Sequence, residues 1–363
     1  MNDPILRLDT IKVTYDGRVV LDVPSLDIPE GETLAVIGPN GAGKSTLLRI
    51  LGLLEQPTEG CVVFAGRSIR PYHNLLSDRR RMASVFQEPL LTDGTVEANV
   101  ALGLRLRRVD AAEVNRRVAD GMATFNIGHL ARRRTRTLSG GEAQRVSLAR
   151  AMVLDPEVFL LDEPFAALDA PTREALLLDL KTILDKRRIT TIFVTHDRNE
   201  ALVLGDRVGV MMGGQVLQIG APERVFTEPV NEQVARFVGI ETILRGHVQR
   251  VTLGLATIQV SGWTLEVAAP VMPGERVLIC LRPEEITLSP RTAIAPASSA
   301  RNQLHGTVVR HLPAGPAYRV TIDCGVPIVA MVTRQSWEQL DLEDGAEVIA
   351  AFKATAPHVI QCV

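Results

Sequence analysis

The sequence predicts an α/β domain built on a parallel sheet, followed by an all-β domain. Three observations carry this. A short apolar run, Thr33-Leu34-Ala35-Val36-Ile37, leads through a glycine-rich loop into the apolar-periodic stretch Thr46-Leu47-Leu48-Arg49-Ile50-Leu51, a strand–loop–helix unit. Two more buried-strand runs, Val158-Phe159-Leu160-Leu161 and Thr191-Ile192-Phe193-Val194, flank a helix from Arg173 to Lys186. After Gly239 helical periodicity stops, and short β-rich runs alternate with Gly and Pro turns.

Each element follows from its pattern. From Ile5 to Ile28 apolar and polar residues alternate, punctuated by Asp16-Gly17 and Pro24, which predicts short antiparallel strands with tight turns. From Val96 to Thr137 the chain is rich in Arg, Ala and Leu at helical spacing, predicting a helical insertion within residues 90–140 of a first domain spanning 1–239. The second domain, 240–363, carries an internal echo. Gly246-His247-Val248-Gln249-Arg250 returns as Gly306-Thr307-Val308-Val309-Arg310, and Pro273-Gly274-Glu275-Arg276-Val277 as Asp344-Gly345-Ala346-Glu347-Val348. Two small β-barrel-like halves, 240–290 and 299–363, are expected, joined by a linker from Thr292 to Ser299. One irregular β-sandwich is the alternative.

Composition excludes several classes. With 363 residues, 40 basic against 42 acidic groups and a net charge of -2, the chain holds more than one domain and is no dedicated nucleic-acid binder. The runs Arg79-Arg80-Arg81 and Arg132-Arg133-Arg134 read as solvated helix faces. Cys61, Cys280, Cys324 and Cys362 are too scattered for a zinc site or disulfide framework, which fits a reducing cytoplasm. The start, Met1-Asn2-Asp3-Pro4, lacks a signal-peptide pattern, and no apolar run is long enough to span a bilayer, so any membrane role is expected to be peripheral.

Gly38-Pro39-Asn40-Gly41-Ala42-Gly43-Lys44-Ser45 matches the P-loop pattern in the context its mechanism needs, between a strand and a helix. Backbone N–H groups of such a loop cradle phosphates, Lys44 brings an ammonium to the β- and γ-phosphates, and Ser45 offers a hydroxyl to Mg²⁺. At the end of the strand from Val158 stand Asp162 and Glu163. Such a pair suits phosphoryl transfer to water: Asp162 can hold Mg²⁺ through water and Glu163 can polarise the attacking water. In Leu138-Ser139-Gly140-Gly141-Glu142-Ala143-Gln144-Arg145 two glycines at a helix start let N–H groups approach an anion, and Ser139 adds a donor.

Together these motifs resemble the ATP-binding cassette ATPases over most of the first 240 residues. The resemblance implies a P-loop NTPase fold, a RecA-like core with an antiparallel β-subdomain and a helical subdomain. It makes the Leu138 segment the signature motif, Asp162-Glu163 the Walker B pair and Pro164-Phe165-Ala166-Ala167-Leu168-Asp169 the D-loop. Gln87, in Val85-Phe86-Gln87-Glu88-Pro89, matches the Q-loop glutamine that senses Mg²⁺ and the γ-phosphate, and His196, in Val194-Thr195-His196-Asp197, matches the switch histidine. Tyr15 lies where the family places a ring against adenine. Implied catalytic residues are therefore Glu163, His196 and Gln87; implied metal ligands are Ser45, Gln87 and Asp162. ATP contacts come from Tyr15, residues 38–45 with Thr46, and Ser139, Gly140, Gly141, Gln144 and Asp169. Because the family's signature contacts ATP on the opposite subunit and this chain carries one cassette, a homodimer with ATP and Mg²⁺ at two composite sites is implied. With no fused spans, no heptad runs and no second cassette, the expected role is the ATPase of an importer. It would dock on integral membrane permease subunits at the cytoplasmic face and serve an external substrate-binding protein.

Leu281-Arg282-Pro283-Glu284-Glu285-Ile286 resembles a hallmark of the transport-associated OB domain, which implies that the all-β second domain is OB-like. Ser299-Ala300-Arg301-Asn302-Gln303-Leu304-His305-Gly306, then Ser336-Trp337-Glu338-Gln339-Leu340 and Phe352-Lys353-Ala354-Thr355, is similar in order to the molybdate-binding module molbindin. A tetrahedral oxyanion needs donors and no acceptors, which Ser299, Arg301, Lys353 and Thr355 can supply with the backbone N–H groups of Ala300 and Asn302. Trp337 and His305 depart from the small residue and the lysine frequent at those places. The resemblance implies molybdate or tungstate import with anion sensing; sulfate, ferric iron or polyamine import, with the second domain a structural dimer clamp, is the alternative.

Overall fold

A computed structural model describes residues 4–70, 72, 74–291 and 299–362. The start at Met1–Asp3 and the expected linker, apart from Ser299, lie outside the described residues. The chain divides into two compact units, Met1–Val225 and Phe226–Val363.

The first unit opens with β1 (Pro4–Tyr15) and β2 (Arg18–Pro29), one long antiparallel hairpin rather than several short strands. Asp16 and Gly17 both take positive φ, the turn that matches strand twist. Pro24 does not end β2, because β2 is an edge strand and its missing N–H removes no ladder bond there. The α/β core starts at β3 (Thr33–Ile37), buried throughout, and passes through the loop into α1 (Lys44–Leu51). β4 (Glu59–Phe64) and β5 (Arg67–Ser68) complete an antiparallel sheet ordered β2-β1-β4-β5.

A short α2 (Leu76–Arg79) precedes β6 (Met82–Val85). The helical insertion follows as α3 (Val96–Leu106), α4 (Ala111–Thr124) and α5 (Gly140–Met152). Then come β7 (Val158–Asp162), α6 (Ala170–Arg187), β8 (Thr190–Thr195), α7 (Arg198–Leu204), β9 (Arg207–Met212) and β10 (Gln215–Gly220). The central sheet runs β10-β9-β3-β8-β7-β6, parallel except for β9–β10. The arginine runs are not free helix faces. Arg81 forks onto Glu157 at 2.6 Å, Arg79 donates to Leu53 O, and Arg133 pairs with Glu142 at 2.8 Å.

α8 (Pro222–Thr227) leads to α9 (Glu232–Phe237). The compact division falls at Val225/Phe226, upstream of the composition change at Gly239. Helical composition conceals that α9 and its flanks pack with the β-rich unit: Glu232 faces Arg245 at 3.3 Å, and His358 Nε2–H donates to Pro229 O at 3.0 Å.

The second unit is a structural duplication. β11 (Thr242–Thr252), β12 (Leu255–Val260), β13 (Trp263–Ala268), β14 (Arg276–Leu281) and β15 (Thr287–Pro290) are followed by β16 (Asn302–Ala314), β17 (Ala317–Asp323) and β18 (Pro327–Thr333). Then α10 (Arg334–Gln339) leads to β19 (Glu347–Phe352) and β20 (His358–Gln361). The echoed segments superpose in register: the bulge at Val248/Arg250 recurs at Val308/Arg310. Gly274 N–H donates to Val248 O at 2.8 Å just as Gly345 N–H donates to Val308 O.

The halves are not self-contained, however. The sheets run β13-β12-β11-β14-β20 and β15-β19-β16-β17-β18, so each repeat lends its last strand to the other. A reciprocal clasp reinforces the exchange. Thr242 Oγ1 accepts from Val329 N–H at 3.0 Å, and Asn302 Oδ1 accepts from Glu266 N–H at 2.8 Å. One apolar core draws on both repeats.

Gly306 sits where β16 crosses β17: an added Cβ would lie 2.5 Å from Cys324 Sγ and 2.6 Å from Asp323 O. Because two of its neighbours are core atoms and backbone, Gly306→Ala should destabilise the second unit by about 1–3 kcal/mol. Urea unfolding monitored by tryptophan fluorescence checks this, since both tryptophans, Trp263 and Trp337, lie in that unit.

Candidate active site

Three parallel strands deliver the chemistry to one edge. β3 ends at Ile37 beside Thr195 of β8, and Val194 of β8 is the register partner of Asp162 on β7. Side chains just beyond these ends therefore meet in the crevice where open α/β sheets bind ligands.

Gly38 leaves β3 so close to β9 that a Cβ would stand 2.1 Å from Met211 O, so no other residue fits. The loop returns into α1 with Lys44 buried. Its ammonium donates to Gly38 O at 2.9 Å and Pro39 O at 3.1 Å, and lies 3.7 Å from Glu163 Oε1. Ser45 Oγ donates to Asp162 Oδ1 at 3.1 Å. Burial raises the Asp162 carboxyl above its ordinary value; the Ser45 hydroxyl opposes this and the neighbouring Glu163 adds to it.

Glu163 is a non-glycine residue at φ 45, a left-handed conformation costing about 1–3 kcal/mol. Its N–H is held by Val194 O at 2.9 Å, and the bend turns its carboxylate back over the loop. Glu163 Oε2 lies 3.0 Å from His196 Nδ1; an ionised carboxylate only accepts, so Nδ1–H donates. Lys44, Glu163 and His196 thus form a continuous polar line.

Tyr15 comes to the same place from the β1–β2 hairpin. With Asn40, Lys44, Ser45, Thr46 and Glu163 it lines a cavity of about 270 Å³. Its hydroxyl donates to Glu55 and accepts from Arg49 at 3.4 Å. Gln87 is exposed just past β6, next to Phe86, which lines a crevice with Ser45 and Asp162.

The signature residues do not reach that cavity. Ser139 caps α5: its Oγ accepts from Glu142 N–H at 3.3 Å while Glu142 Oε2 accepts from Ser139 N–H at 2.8 Å, a reciprocal capping box. The Ser139 backbone bond, with Arg133, holds the Glu142 carboxyl below its usual range. Gly140 is exposed, whereas Gly141 is explained by packing, since a Cβ there would meet Thr172 of α6 at 2.5 Å. Gln144 is buried, with its Nε2 lacking a hydrogen-bond partner. Asp169 caps α6 by accepting from Thr172 N–H at 3.1 Å.

Sequence reasoning passed over the support beneath His196. Asp197 caps α7, and Thr195 Oγ1 donates at 2.5 Å to Glu200, a buried carboxyl raised by burial. Arg173 lies 3.9 Å from Glu200 and 3.6 Å from Asp197, and donates to Leu168 O at 3.1 Å, tying the segment before α6 to the His196 turn. The signal was present: Asp197-Arg198-Asn199-Glu200 has the Asp-x-x-Glu spacing of a helix start.

In the second unit the oxyanion candidates gather where β16 begins and β19 ends, because Asn302 and Phe352 are register partners. Ser299, Arg301, Lys353 and Thr355 are exposed and Ala300 is half-buried. Asn302 is buried, and its side chain is committed to both backbone groups of Glu266. Arg301 forms an ion pair with Glu266, which holds that carboxyl below its ordinary value.

Fold and site together define a P-loop nucleotide hydrolase of cassette type. A family model described as ABC transporter matches residues 21–166, and one described as TOBE domain matches 298–359. The chain is 37% identical over 357 residues to the molybdate/tungstate import ATP-binding protein WtpC of Pyrococcus abyssi, covering 98% of this chain and 100% of that one. It is 41% identical over 290 residues to the spermidine/putrescine import ATP-binding protein PotA of Rubrobacter xylanophilus, covering 77% and 75%. Among solved structures it resembles cbiO1 from Clostridium perfringens, part of the ABC transporter complex cbiONQ, with TM-score 0.59 and 31% identity over 66% of this chain and 96% of that one. A dimeric post-hydrolysis structure of the ATP-binding cassette MJ0796 bound to ADP and Pi gives TM-score 0.55 and 32% identity over 60% and 98%. The chain belongs to the import ATP-binding proteins of the ABC transporter family. It is an ATPase whose hydrolysis is coupled to transport. No helix among the described residues is long and apolar enough to cross a membrane.

The buried Glu200 carboxyl makes the His196 turn sensitive to pH. Its folded-state pKa exceeds its unfolded value of 4.5, so as pH rises past 4.5 the unfolded chain ionises first and stability falls. Glu200→Gln removes this contribution. Relative to wild type, the variant should gain stability progressively as pH rises above 4.5, as urea titrations at each pH will show.

Proposed function

We propose that the chain hydrolyses ATP at two sites shared between a pair of copies and thereby drives import of a tetrahedral oxyanion, molybdate or tungstate. For the hydrolytic step the supporting observation is the line from Lys44 to Glu163 at 3.7 Å and on to His196 at 3.0 Å. The backbone N–H groups between Asn40 and Thr46 receive the triphosphate, with Gly38, Pro39, Asn40, Gly41, Ala42 and Gly43 forming the turn, and Tyr15 packs against the base. Lys44 exchanges its bonds to Gly38 O and Pro39 O for phosphate oxygens. Glu163 takes a proton from the attacking water, and His196 holds that carboxylate in place.

The donors Ser45 and Asp162 are hard oxygens 3.1 Å apart, with a half-buried carboxyl that gains from a cation, so they fit Mg²⁺; Gln87 would join them. Mg²⁺ would neutralise charge on the β- and γ-phosphates.

Ser139, Gly140, Gly141, Gln144 and Asp169 lie outside the cavity of their own chain, and the dimeric MJ0796 relative supports their serving the partner copy's ATP. Such a pair would sit peripherally at the inner membrane face, docked on permease subunits that receive cargo from an external binding protein.

The cargo assignment rests on span. The WtpC relatives of Pyrococcus align over 98% of this chain, TOBE region included. A second reading, polyamine import, is favoured by the higher identity of one PotA relative over a shorter span. Under that reading the second unit serves as a dimer clamp.

Glu163→Gln should lower ATP turnover by at least about 100-fold while trapping an ATP-bound dimer visible by size-exclusion chromatography. Retained turnover removes Glu163 as the base. For the cargo, ATPase activity of the complex reconstituted with permease and binding protein should rise with molybdate or tungstate and not with spermidine or sulfate. Stimulation by spermidine alone selects the second reading.

A further inference from the structure

The duplication in the second unit supplies its own control. Register equates Gly246 with Gly306, Val248 with Val308, Ile258 with Ile322 and Leu265 with Ile328. On that correspondence Arg245, His247, Gln259 and Arg276 of the first repeat stand where the second has His305, Thr307, Asp323 and Glu347. The fold does not require cationic groups at these places, since its other copy has neutral and acidic ones.

His247 is the register partner of both Gln259 on β12 and Arg276 on β14, and Arg245 lies two residues away on β11. All four therefore project from one face of the sheet. With Glu232 and Cys362 they line a cavity of about 490 Å³.

In the second repeat the matching face stays exposed at His305, Thr307, Asp323 and Glu347, but one side chain lies against it. The indole of Trp263 stacks on His305 at 6.4 Å and its Nε1–H donates to Cys324 O at 2.6 Å, while Glu347 is paired with Arg291 at 3.1 Å. The counterpart of Trp263 is Val326, which has no ring to lay over Arg245. The cavity thus stands where the first repeat has no counterpart of the Trp263 ring.

Charge defines the guest. Among the described residues Glu232 is the one carboxylate in the lining, and it is shared between Arg236 at 2.7 Å and Arg245 at 3.3 Å. Arg276 has no ion pair among the described residues. Donors outnumber acceptors, which excludes a polyamine and favours an anion. The volume falls in the small-molecule range of about 300–1,000 Å³, well above what one tetrahedral group needs. Diagonal positions such as those of Arg245 and Arg276 are about 7–8 Å apart on a sheet, a spacing for two anionic groups on one molecule.

We propose that this cavity binds a small organic polyanion, a polycarboxylate or a phosphorylated acid, anchored by Arg276 and Arg245 and apart from the Arg301 and Lys353 neighbourhood. Arg276 grips one anionic group, Arg245 the other, and His247 and Gln259 donate between them.

Isothermal titration of the full chain with citrate and with 3-phosphoglycerate tests this. At least one should bind with Kd below about 1 mM, and Arg276→Glu should weaken it by about tenfold or more. Val326→Trp, which puts a ring at the position equivalent to Trp263 without changing charge, should weaken it as well. Lys44→Ala should leave it unchanged, separating this cavity from the phosphate loop. No heat with either probe, heat undiminished in either folded variant, or heat abolished by Lys44→Ala overturns the proposal.

Discussion

A buried ammonium must be compensated, and the arrangement around Lys44 is the constraint on which the first unit turns. Two backbone oxygens of its own loop and the Glu163 carboxylate supply the compensation. The oxygens require Gly38 to pass against β9 without a side chain; the carboxylate requires Glu163 to adopt a left-handed backbone. That strain is tolerable only because Val194 O, on the adjacent strand, holds the Glu163 N–H. The β7–β8 register thus governs the electrostatics of a loop that follows β3, and His196, just beyond β8, arrives by the same register. The site is a property of strand order.

A second constraint, reciprocity, organises the other unit. Each repeat donates its last strand and receives one, so neither can bury its apolar face alone. The clasp at Thr242 and Asn302 places equivalent side chains on equivalent backbone groups of the opposite repeat. Such symmetry frees the outer faces to diverge, because the shared core and the glycine crossings carry the stability. Arg276 against Glu347 is the outcome of that freedom.

The sequence made the local chemistry legible and the non-local pairing much less so. The loop from Gly38 to Ser45, the Asp162-Glu163 pair and the capping segment at Ser139 are contiguous motifs whose spacing sets their geometry. The strands β6, β9 and β10 lacked such a signal; β6 is only four residues long, and β9 and β10 carry Gly209, Gln215 and Gln218 among apolar residues. The echo of Gly246 in Gly306 announced a duplication, but strand exchange depends on partners far away in sequence, which no periodicity encodes. Likewise Phe226–Gly239 reads as helical and by composition belongs with the first domain, although it packs with the strands of the second unit.

The capping box at Ser139 bears on how a helix start proposed to meet a partner's ATP is stable in its own chain. A helix start that meets an anion must keep its first N–H groups available, yet an unsatisfied start costs stability. Here the division of labour is explicit. Ser139 Oγ satisfies the Glu142 N–H, and Glu142 in turn satisfies the Ser139 N–H, which leaves the amides of Gly140 and Gly141 between them. An acidic residue in the first turn would repel a phosphate, but the Glu142 carboxylate is turned back onto Ser139 and neutralised by Arg133 at 2.8 Å. Gly141 is packed on Thr172 of α6, so the start of α5 moves with the helix that Asp169 caps. Arg173 on that helix reaches Asp197 and Glu200 below His196. The residues that would meet a partner's ATP and those that would act on the chain's own ATP are therefore joined through one helix, a physical route for each site to feel the other.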